Sequence, residues 1–147
     1  MKIVSWNVNS INARLEHLIK FIKKDQSDIY LLQELKCTND NFPKKEIDKL
    51  NYFSYINGQK AWNGVAILSK KKLDITNSNI PTFKNDENAR FIETRIKIKD
   101  PKKKIVLICI YLPNGNPIES KKFEYKIDWM KKFNQYIDKL IKENNPI

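Results

Sequence analysis

A strand–helix–strand unit at the start of the chain constrains the fold more than any other feature of the sequence. Residues 2–8 have the pattern of a strand, residues 15–24 carry apolar side chains at helical spacing, and residues 29–32 are apolar without interruption. A strand that is apolar on both faces belongs to a sheet that is covered on both sides. Two strands joined by one helix run parallel with a right-handed crossover, so we predict an α/β protein.

The remaining elements are short strands followed by one long helix. We predict a helix over 43–50, strands over 52–56, 64–69, 73–78, 90–98 and 104–112, and turns at Asn57-Gly58 and Asp100-Pro101. Strands at this spacing pair mostly as antiparallel neighbours. A loop at 113–117 leads into an amphipathic helix over 120–143, and no second domain boundary is evident. The inward face of that helix is predicted to carry Phe123, Ile127, Met130, Phe133, Ile137, Leu140 and Ile141.

Charge and composition narrow the class of protein. The chain has 28 Lys and Arg against 17 Asp and Glu, a net charge of +11, which attracts polyanions such as a phosphate backbone. A biased composition is the alternative, because Lys, Asn and Ile are abundant throughout. No apolar run reaches the roughly 18 residues that span a bilayer, and the first residues lack a signal-peptide pattern. We therefore expect a cytoplasmic protein with no membrane partner. Cys37 and Cys109 lack the paired spacing of a disulfide framework or zinc site.

Polar residues stand where the predicted strands end. Asn7 ends the first strand, Gln33 and Glu34 end the second, and Tyr111 lies near the end of the strand over 104–112. The ends of parallel strands open on one side of a sheet, where such sheets bind ligands. A carboxylate beside a carboxamide offers the hard oxygen ligands that suit Mg²⁺. Taken singly, a glutamate at a strand end such as Glu34 is more often a solvated terminus, and a tyrosine in an apolar strand such as Tyr111 is more often a core residue.

Four motifs in register carry a resemblance that runs along the whole chain. Their order and spacing resemble those of the exonuclease III family of apurinic/apyrimidinic endonucleases, within the endonuclease/exonuclease/phosphatase superfamily. The resemblance implies the N-terminal half of a deoxyribonuclease I-like fold, in which two packed sheets are flanked by helices. The motifs are Ser5-Trp6-Asn7-Val8-Asn9, Leu31-Leu32-Gln33-Glu34-Leu35-Lys36, Asn57-Gly58-Gln59-Lys60 with Gly64-Val65-Ala66-Ile67-Leu68-Ser69, and Tyr111-Leu112-Pro113-Asn114-Gly115.

The same resemblance implies a role for individual residues. Glu34 would bind the catalytic metal, Mg²⁺ with Mn²⁺ as an alternative ion, and Asn7 would serve as a second ligand or orient the reacting groups. Tyr111 would hydrogen-bond the scissile phosphate. The implied partner is double-stranded DNA with abasic sites or 3′ ends, and the implied reaction is hydrolysis of its phosphodiesters. The implied DNA contacts are Lys36, Lys60, Trp62, Asn63, Arg90 and Asn114.

Other family motifs have no counterpart in these residues. A Gly-Asp-x-Asn segment is expected after the long helix, followed by a later Asp and a Ser-Asp-His motif. The one histidine, His17, falls on a predicted surface helix and cannot replace the missing catalytic histidine. Ser10, Asn12 and Leu35 stand where relatives usually have Gly, Arg and Thr. We expect a partial domain over residues 1–147 with little or no nuclease activity alone.

Two other functions remain open at this stage. The chain could be a non-catalytic DNA-binding or complementing half that works with a separately encoded C-terminal half. It could also be a superfamily phosphodiesterase that acts on lipids or nucleotides. The motifs around Glu34 and Tyr111 and the basic charge disfavour that last class.

Overall fold

Seven strands and three helices make up the described part of the molecule. The computed structural model describes residues 1–97, 104–143 and 146–147. It confirms each predicted strand and helix, except that the end of the strand over 90–98 and the turn at Asp100-Pro101 lie outside the described residues. The elements are β1 (Ile3–Asn7), α1 (Leu15–Asp25), β2 (Ile29–Gln33), α2 (Lys44–Asp48), β3 (Phe53–Asn57), β4 (Val65–Ser69), β5 (Asp74–Asn77), β6 (Phe91–Lys97), β7 (Lys104–Ile110) and α3 (Lys121–Lys142).

The strands form two sheets. The first has the order β1-β2-β4-β3, with β1 and β2 parallel and the other pairs antiparallel. The second is the antiparallel sheet β5-β6-β7. Pairing of consecutive strands therefore holds in most places but fails at β2–β3 and β4–β5. Every residue of β4 is buried, which fits its position inside the first sheet between β2 and β3. The strands β4 and β5 do not pair because β5 belongs to the second sheet.

The two sheets pack face to face, and helices cover their outer faces. One apolar cluster joins the first sheet to the second, with Ile67 of β4 and Ile92 of β6 among its fully buried members. A second cluster packs α1 and α2 against the outer face of the first sheet through Leu18 and Ile47. A third packs α3 against the outer face of the second sheet through Trp129. This is the predicted α/β arrangement of two sheets flanked by helices. None of the helices described is long and apolar enough to cross a membrane.

The buried face of α3 differs from the predicted one. Trp129, Tyr136 and Leu140 are its buried residues, whereas Met130 and Ile141 are 38% and 60% exposed. Trp129 and Tyr136, two large aromatic residues that carry a polar atom, are buried although the predicted face does not include them. Aromatic side chains bury large apolar areas and contribute strongly to core packing. The inward residues at positions 129, 133, 136 and 140 keep helical spacing. The structure therefore differs from the prediction in the rotation of α3 about its axis.

A buried carboxylate explains why Tyr136 faces inward. Glu93 on β6 is fully buried, and its carboxylate accepts hydrogen bonds from the Tyr136 hydroxyl, from Thr76 and from Asn77 Nδ2 at 3.3 Å. Arg95 Nε lies 3.3 Å from the same carboxylate. A buried carboxylate is tolerated when it is paired and hydrogen-bonded. Tyr136 is the donor that comes from α3, so its hydrogen bond ties the helix to the second sheet.

Replacing Tyr136 by Phe is expected to lower the free energy of unfolding by about 1–3 kcal/mol, because Glu93 would lose a donor without regaining water. Urea denaturation followed by circular dichroism measures the change. Gln135→Ala, at an exposed position of the same helix, is the control and should shift the free energy by less than about 0.5 kcal/mol. An unchanged midpoint for Tyr136→Phe would contradict this account of the Glu93 network.

Candidate active site

The turn after β2 holds Glu34 in an unusual backbone conformation. Glu34 and Lys36 have φ angles of 55° and 54°, in the left-handed region that non-glycine residues seldom adopt. Backbone hydrogen bonds from Ser10 N to Glu34 O (2.8 Å) and from Lys36 N to Asn63 O (3.0 Å) maintain it. Gly64 packs against this turn, since a Cβ there would lie 2.8 Å from the Cβ of Leu35. Strain of this kind, on the order of 1 kcal/mol per residue, persists where surrounding contacts enforce it.

The Asn7 amide and the Glu34 carboxylate converge, as the sequence predicted. Asn7 Nδ2 donates to Glu34 Oε1 at 2.7 Å, and Asn7 Oδ1 accepts the backbone N–H of Asn9 at 3.1 Å. Lys36 Nζ lies 3.2 Å from Glu34 Oε2 and also bonds Asn9 Oδ1. Both polar atoms of the Asn7 side chain are therefore engaged, and this geometry suits an orienting role for Asn7 better than a ligand role.

These contacts decide the ionisation of the cleft residues. The hydrogen bond from Asn7 lowers the pKa of Glu34, desolvation opposes it, and Tyr111 and Lys36 lower the pKa further. Glu34 is thus a carboxylate at neutral pH. Burial raises the pKa of Tyr111 and the neighbouring Glu34 raises it further, so the phenol keeps its proton. At neutral pH a carboxylate and a hydroxyl donor therefore lie side by side.

Arg90 forms the wall of the site opposite Glu34. Its guanidinium carbon lies 4.9 Å from the centre of the Tyr111 ring and 5.9 Å from that of Tyr125, and its Nη1 donates to the Tyr111 carbonyl at 3.2 Å. Arg90 and Tyr111 are also joined through the backbone, Tyr111 N to Arg90 O at 2.8 Å. Arg90 directly precedes β6, and its guanidinium is held in place by Tyr111, the residue that follows β7.

A cleft of about 380 Å³ opens where the ends of both sheets meet. It brings together seven of the residues singled out from the sequence. At least three larger cavities, of about 450, 470 and 430 Å³, lie elsewhere among the described residues, but none of these three contains any of the predicted site residues. The lining residues of the cleft are Glu34, Lys36, Trp62, Asn63, Asn88, Arg90, Tyr111, Pro113, Asn114, Gly115, Lys122 and Tyr125.

Two predicted site residues lie beside the cleft. Asn7 reaches it only through Glu34. Lys60 is exposed on the loop that carries Trp62, and its carbonyl accepts the Trp62 N–H at 2.8 Å. Trp62 itself is 69% exposed at the rim.

Two predicted DNA contacts are engaged within the protein. Asn63 is only 7% exposed, and its Nδ2 donates to Gln59 Oε1 at 2.8 Å and to Asn88 Oδ1 at 3.2 Å. Asn114 Oδ1 accepts from Asn116 Nδ2 at 2.8 Å. These hydrogen bonds stabilise the loops that carry Asn63 and Asn114. Only part of the hydrogen-bonding capacity of each amide would therefore be available to a ligand.

Sequence reasoning missed four residues at or behind this cleft. Asn88 and Asp86 belong to the loop before β6, and Lys122 and Tyr125 to the first turns of α3. No motif marks them. The one available signal was the position of residues 120–125 directly after the loop at 113–117, which brings the start of α3 close to Tyr111.

Glu34 is the one residue at the cleft suited to hold a divalent cation. Within the described parts of the chain, no three His, Cys, Asp or Glu side chains cluster as a metal site. Mg²⁺ needs only one or two carboxylates and keeps several water molecules, so a single ionised carboxylate fits that ion. Lys36 Nζ already lies against one Glu34 oxygen, as a cation would.

Asn7→Ala is expected to raise the pKa of Glu34 towards its ordinary value, because Asn7 makes the largest contribution to lowering it. A lowered native pKa stabilises the fold above the ordinary pKa of Glu and is lost as pH falls through the native value. The stability difference from the parent should therefore be present at neutral pH and vanish in acid. Carbon-detected NMR titration of the Glu34 carboxyl measures the pKa, and Asn116→Ala is the control. An unmoved Glu34 titration would refute the assignment.

Comparisons with known proteins identify the family of the chain. Residues 4–147 match the Endonuclease/Exonuclease/phosphatase family. Exodeoxyribonuclease III of Haemophilus influenzae is 32% identical over the whole chain, which covers 55% of that protein.

Two solved structures have the same fold. The 3′ phosphatase NExo from Neisseria, bound to a product DNA hairpin, superposes with a TM-score of 0.86 at 31% identity, over 97% of this chain and 53% of that one. An AP endonuclease from Archaeoglobus fulgidus gives 0.80 at 30% identity, over 95% and 51%. The chain spans about half the length of these relatives. It belongs to the endonuclease/exonuclease/phosphatase family, with exodeoxyribonucleases and AP endonucleases among its relatives, as the four motifs implied.

Proposed function

We propose that this chain forms the N-terminal part of a magnesium-dependent DNA-repair nuclease of exonuclease III type. The reaction would be hydrolysis of DNA phosphodiesters at abasic sites and 3′ ends, and a cytoplasmic location is part of the same proposal. The observation that carries it is the Glu34 carboxylate, held by Asn7 and flanked by Lys36 and Tyr111, at the mouth of a cleft rich in cations. Relatives named as deoxyribonucleases and AP endonucleases support the substrate class.

Each residue of the cleft would act on a phosphodiester in its own way. Mg²⁺, when bound at Glu34, would screen the phosphate charge and stabilise the leaving oxygen. Asn7 keeps Glu34 ionised and directed. The Tyr111 hydroxyl would donate to a non-bridging phosphate oxygen, where a preorganised donor contributes most to the transition state. Lys36 and Arg90 would attract and seat the DNA backbone.

Binding of the metal to Glu34 can be tested without activity. Mn²⁺ is expected to broaden the NMR signals of Asn7 and Glu34 selectively at low stoichiometry, and Glu34→Gln should abolish that broadening because the anionic ligand is gone. Glu124→Gln, at an exposed carboxylate in the first turn of α3, is the control and should leave the broadening unchanged. Equal broadening in the parent and in Glu34→Gln would exclude Glu34 as the ligand.

We infer that these 147 residues alone bind duplex DNA but cleave it slowly or not at all. Among the described residues that line the cleft, Glu34 is the single carboxylate and is the proposed metal ligand, so no second carboxylate there is available to activate water. His17 is exposed on α1 and does not line the cleft.

The measurement is incubation of a duplex carrying one abasic site with the purified chain and Mg²⁺, beside a gel-shift titration of the same duplex. We expect a shifted complex that weakens steeply as salt rises, with no cleavage above background. Haemophilus influenzae exodeoxyribonuclease III is the positive control. Robust turnover by the chain would refute the inferred inactivity, and failure to bind duplex DNA would refute the proposed function.

A complementing half is the second candidate. In this reading, a separately encoded C-terminal half would supply the length of the Haemophilus influenzae relative that the chain does not cover. The discriminating observation is an open reading frame downstream that begins near Gly-Asp-x-Asn and ends in Asp-His. Activity that returns when both products are mixed would support this reading.

A further inference from the structure

Arg90 is held by aromatic rings on two sides. Its guanidinium lies over the Tyr111 ring at 4.9 Å and near the Tyr125 ring at 5.9 Å, and its Nε is buried with no hydrogen-bond partner among the described residues. A guanidinium has five N–H donors. Cation–π contacts with the two rings therefore contribute much of what positions the Arg90 guanidinium. Such contacts do not use the N–H donors of the guanidinium.

The Tyr125 side chain is itself held in place by contacts with Asp86 and Phe83. Its hydroxyl lies 3.0 and 2.9 Å from the two carboxylate oxygens of Asp86, and its ring packs 6.4 Å from Phe83. The Asp86 loop is tied to α3 a second time, since Thr82 Oγ1 donates to the Lys132 carbonyl at 2.6 Å. Burial and the Asp86 carboxylate raise the pKa of Tyr125, so the phenol keeps its proton at neutral pH and can donate to Asp86.

This cluster lies outside the four motifs but reaches the site. Asp86, Tyr125 and Arg90 come from the loop before β6, from α3 and from the edge of β6, and Tyr125 and Arg90 both line the cleft. A core role would not need Tyr125 at the cleft. A long Arg side chain loses much rotamer freedom when it binds a ligand, and that loss is smaller when the side chain is ordered beforehand.

We propose that Tyr125 and Asp86 form a positioning pair that holds the Arg90 guanidinium against Tyr111, so that Arg90 meets a DNA phosphate already ordered. The inference rests on the proposed function for its ligand. Tyr125 acts through Arg90 and has no contact with DNA of its own in this scheme. Through this pair α3 contributes to the site by packing, in addition to the Lys122 side chain that lines the cleft.

The position of Arg90 can be read directly, because the sequence contains three arginines: Arg14, Arg90 and Arg95. A ¹⁵N correlation spectrum of arginine side chains should show three Nε–H signals, and Arg90→Lys identifies the one displaced by the tyrosine rings. In Tyr125→Leu that signal should move towards the position of exposed Arg14. Tyr125→Phe and Asp86→Asn, which keep the ring but release it from the loop, should each move it part of the way.

The consequence for binding is measured with the duplex carrying an abasic site, without added metal. Tyr125→Leu is expected to weaken binding about three- to tenfold, the loss of one cation–π contact. Tyr136→Phe is the matched control: it removes another tyrosine hydroxyl that α3 directs at a carboxylate, but away from the cleft. It should leave both the Arg90 signal and the affinity unchanged.

The outcomes separate the two proposals. An Arg90 signal that stays in place in Tyr125→Leu overturns the positioning pair, as does a signal that moves with no loss of affinity. Equal effects of Tyr136→Phe also overturn it, because loosening of α3 would then be the cause. If the parent chain fails to bind duplex DNA, the proposed function and the DNA role of Arg90 both fail, while the arginine spectrum still decides whether Tyr125 positions Arg90.

Discussion

The hydrogen bond between Asn7 and Glu34 depends on the parallel register of β1 and β2, and the rest of the candidate site depends on that bond. The register pairs Asn7 with Gln33, so both strands end at the same level and Glu34, the residue after Gln33, lies within hydrogen-bond distance of Asn7. The left-handed turn at Glu34 then directs its carboxylate towards Asn7. Parallel pairing thus turns two residues separated by 27 positions into one polar unit at the edge of a sheet.

The second sheet completes this unit by bringing a cation and a phenol to the same edge. Arg90 precedes the first residue of β6, and Tyr111 follows the last residue of β7. One backbone hydrogen bond and a ring contact hold these two residues side by side. Tyr111 approaches Glu34 closely enough to influence its ionisation, and Glu34 does the same to Tyr111. The apolar contact between the sheets therefore decides the electrostatics of the cleft.

Helix α3 serves both the core and the cleft. Its buried end packs Trp129, Tyr136 and Leu140 on the second sheet, while its first turns carry Lys122 and Tyr125 into the cleft wall. Two tyrosines of the helix bond a carboxylate, Tyr136 with buried Glu93 and Tyr125 with half-buried Asp86. The hydrogen bond between Tyr136 and Glu93 fixes α3 on the second sheet. Tyr125, which bonds Asp86, contacts Arg90 through its ring.

The order and type of the elements, the α/β class and the meeting of Asn7 with Glu34 were determined by the sequence itself. These follow from local periodicity and from the rule that parallel strands end on one side. The central place of β4, the rotation of α3 and the stacking around Arg90 were decided only by the tertiary structure. Their physical reason is shared: each depends on which distant apolar surfaces pack together, and local pattern carries no information on such long-range choices. Asp86 and Tyr125, 39 positions apart, meet because α3 docks on the second sheet.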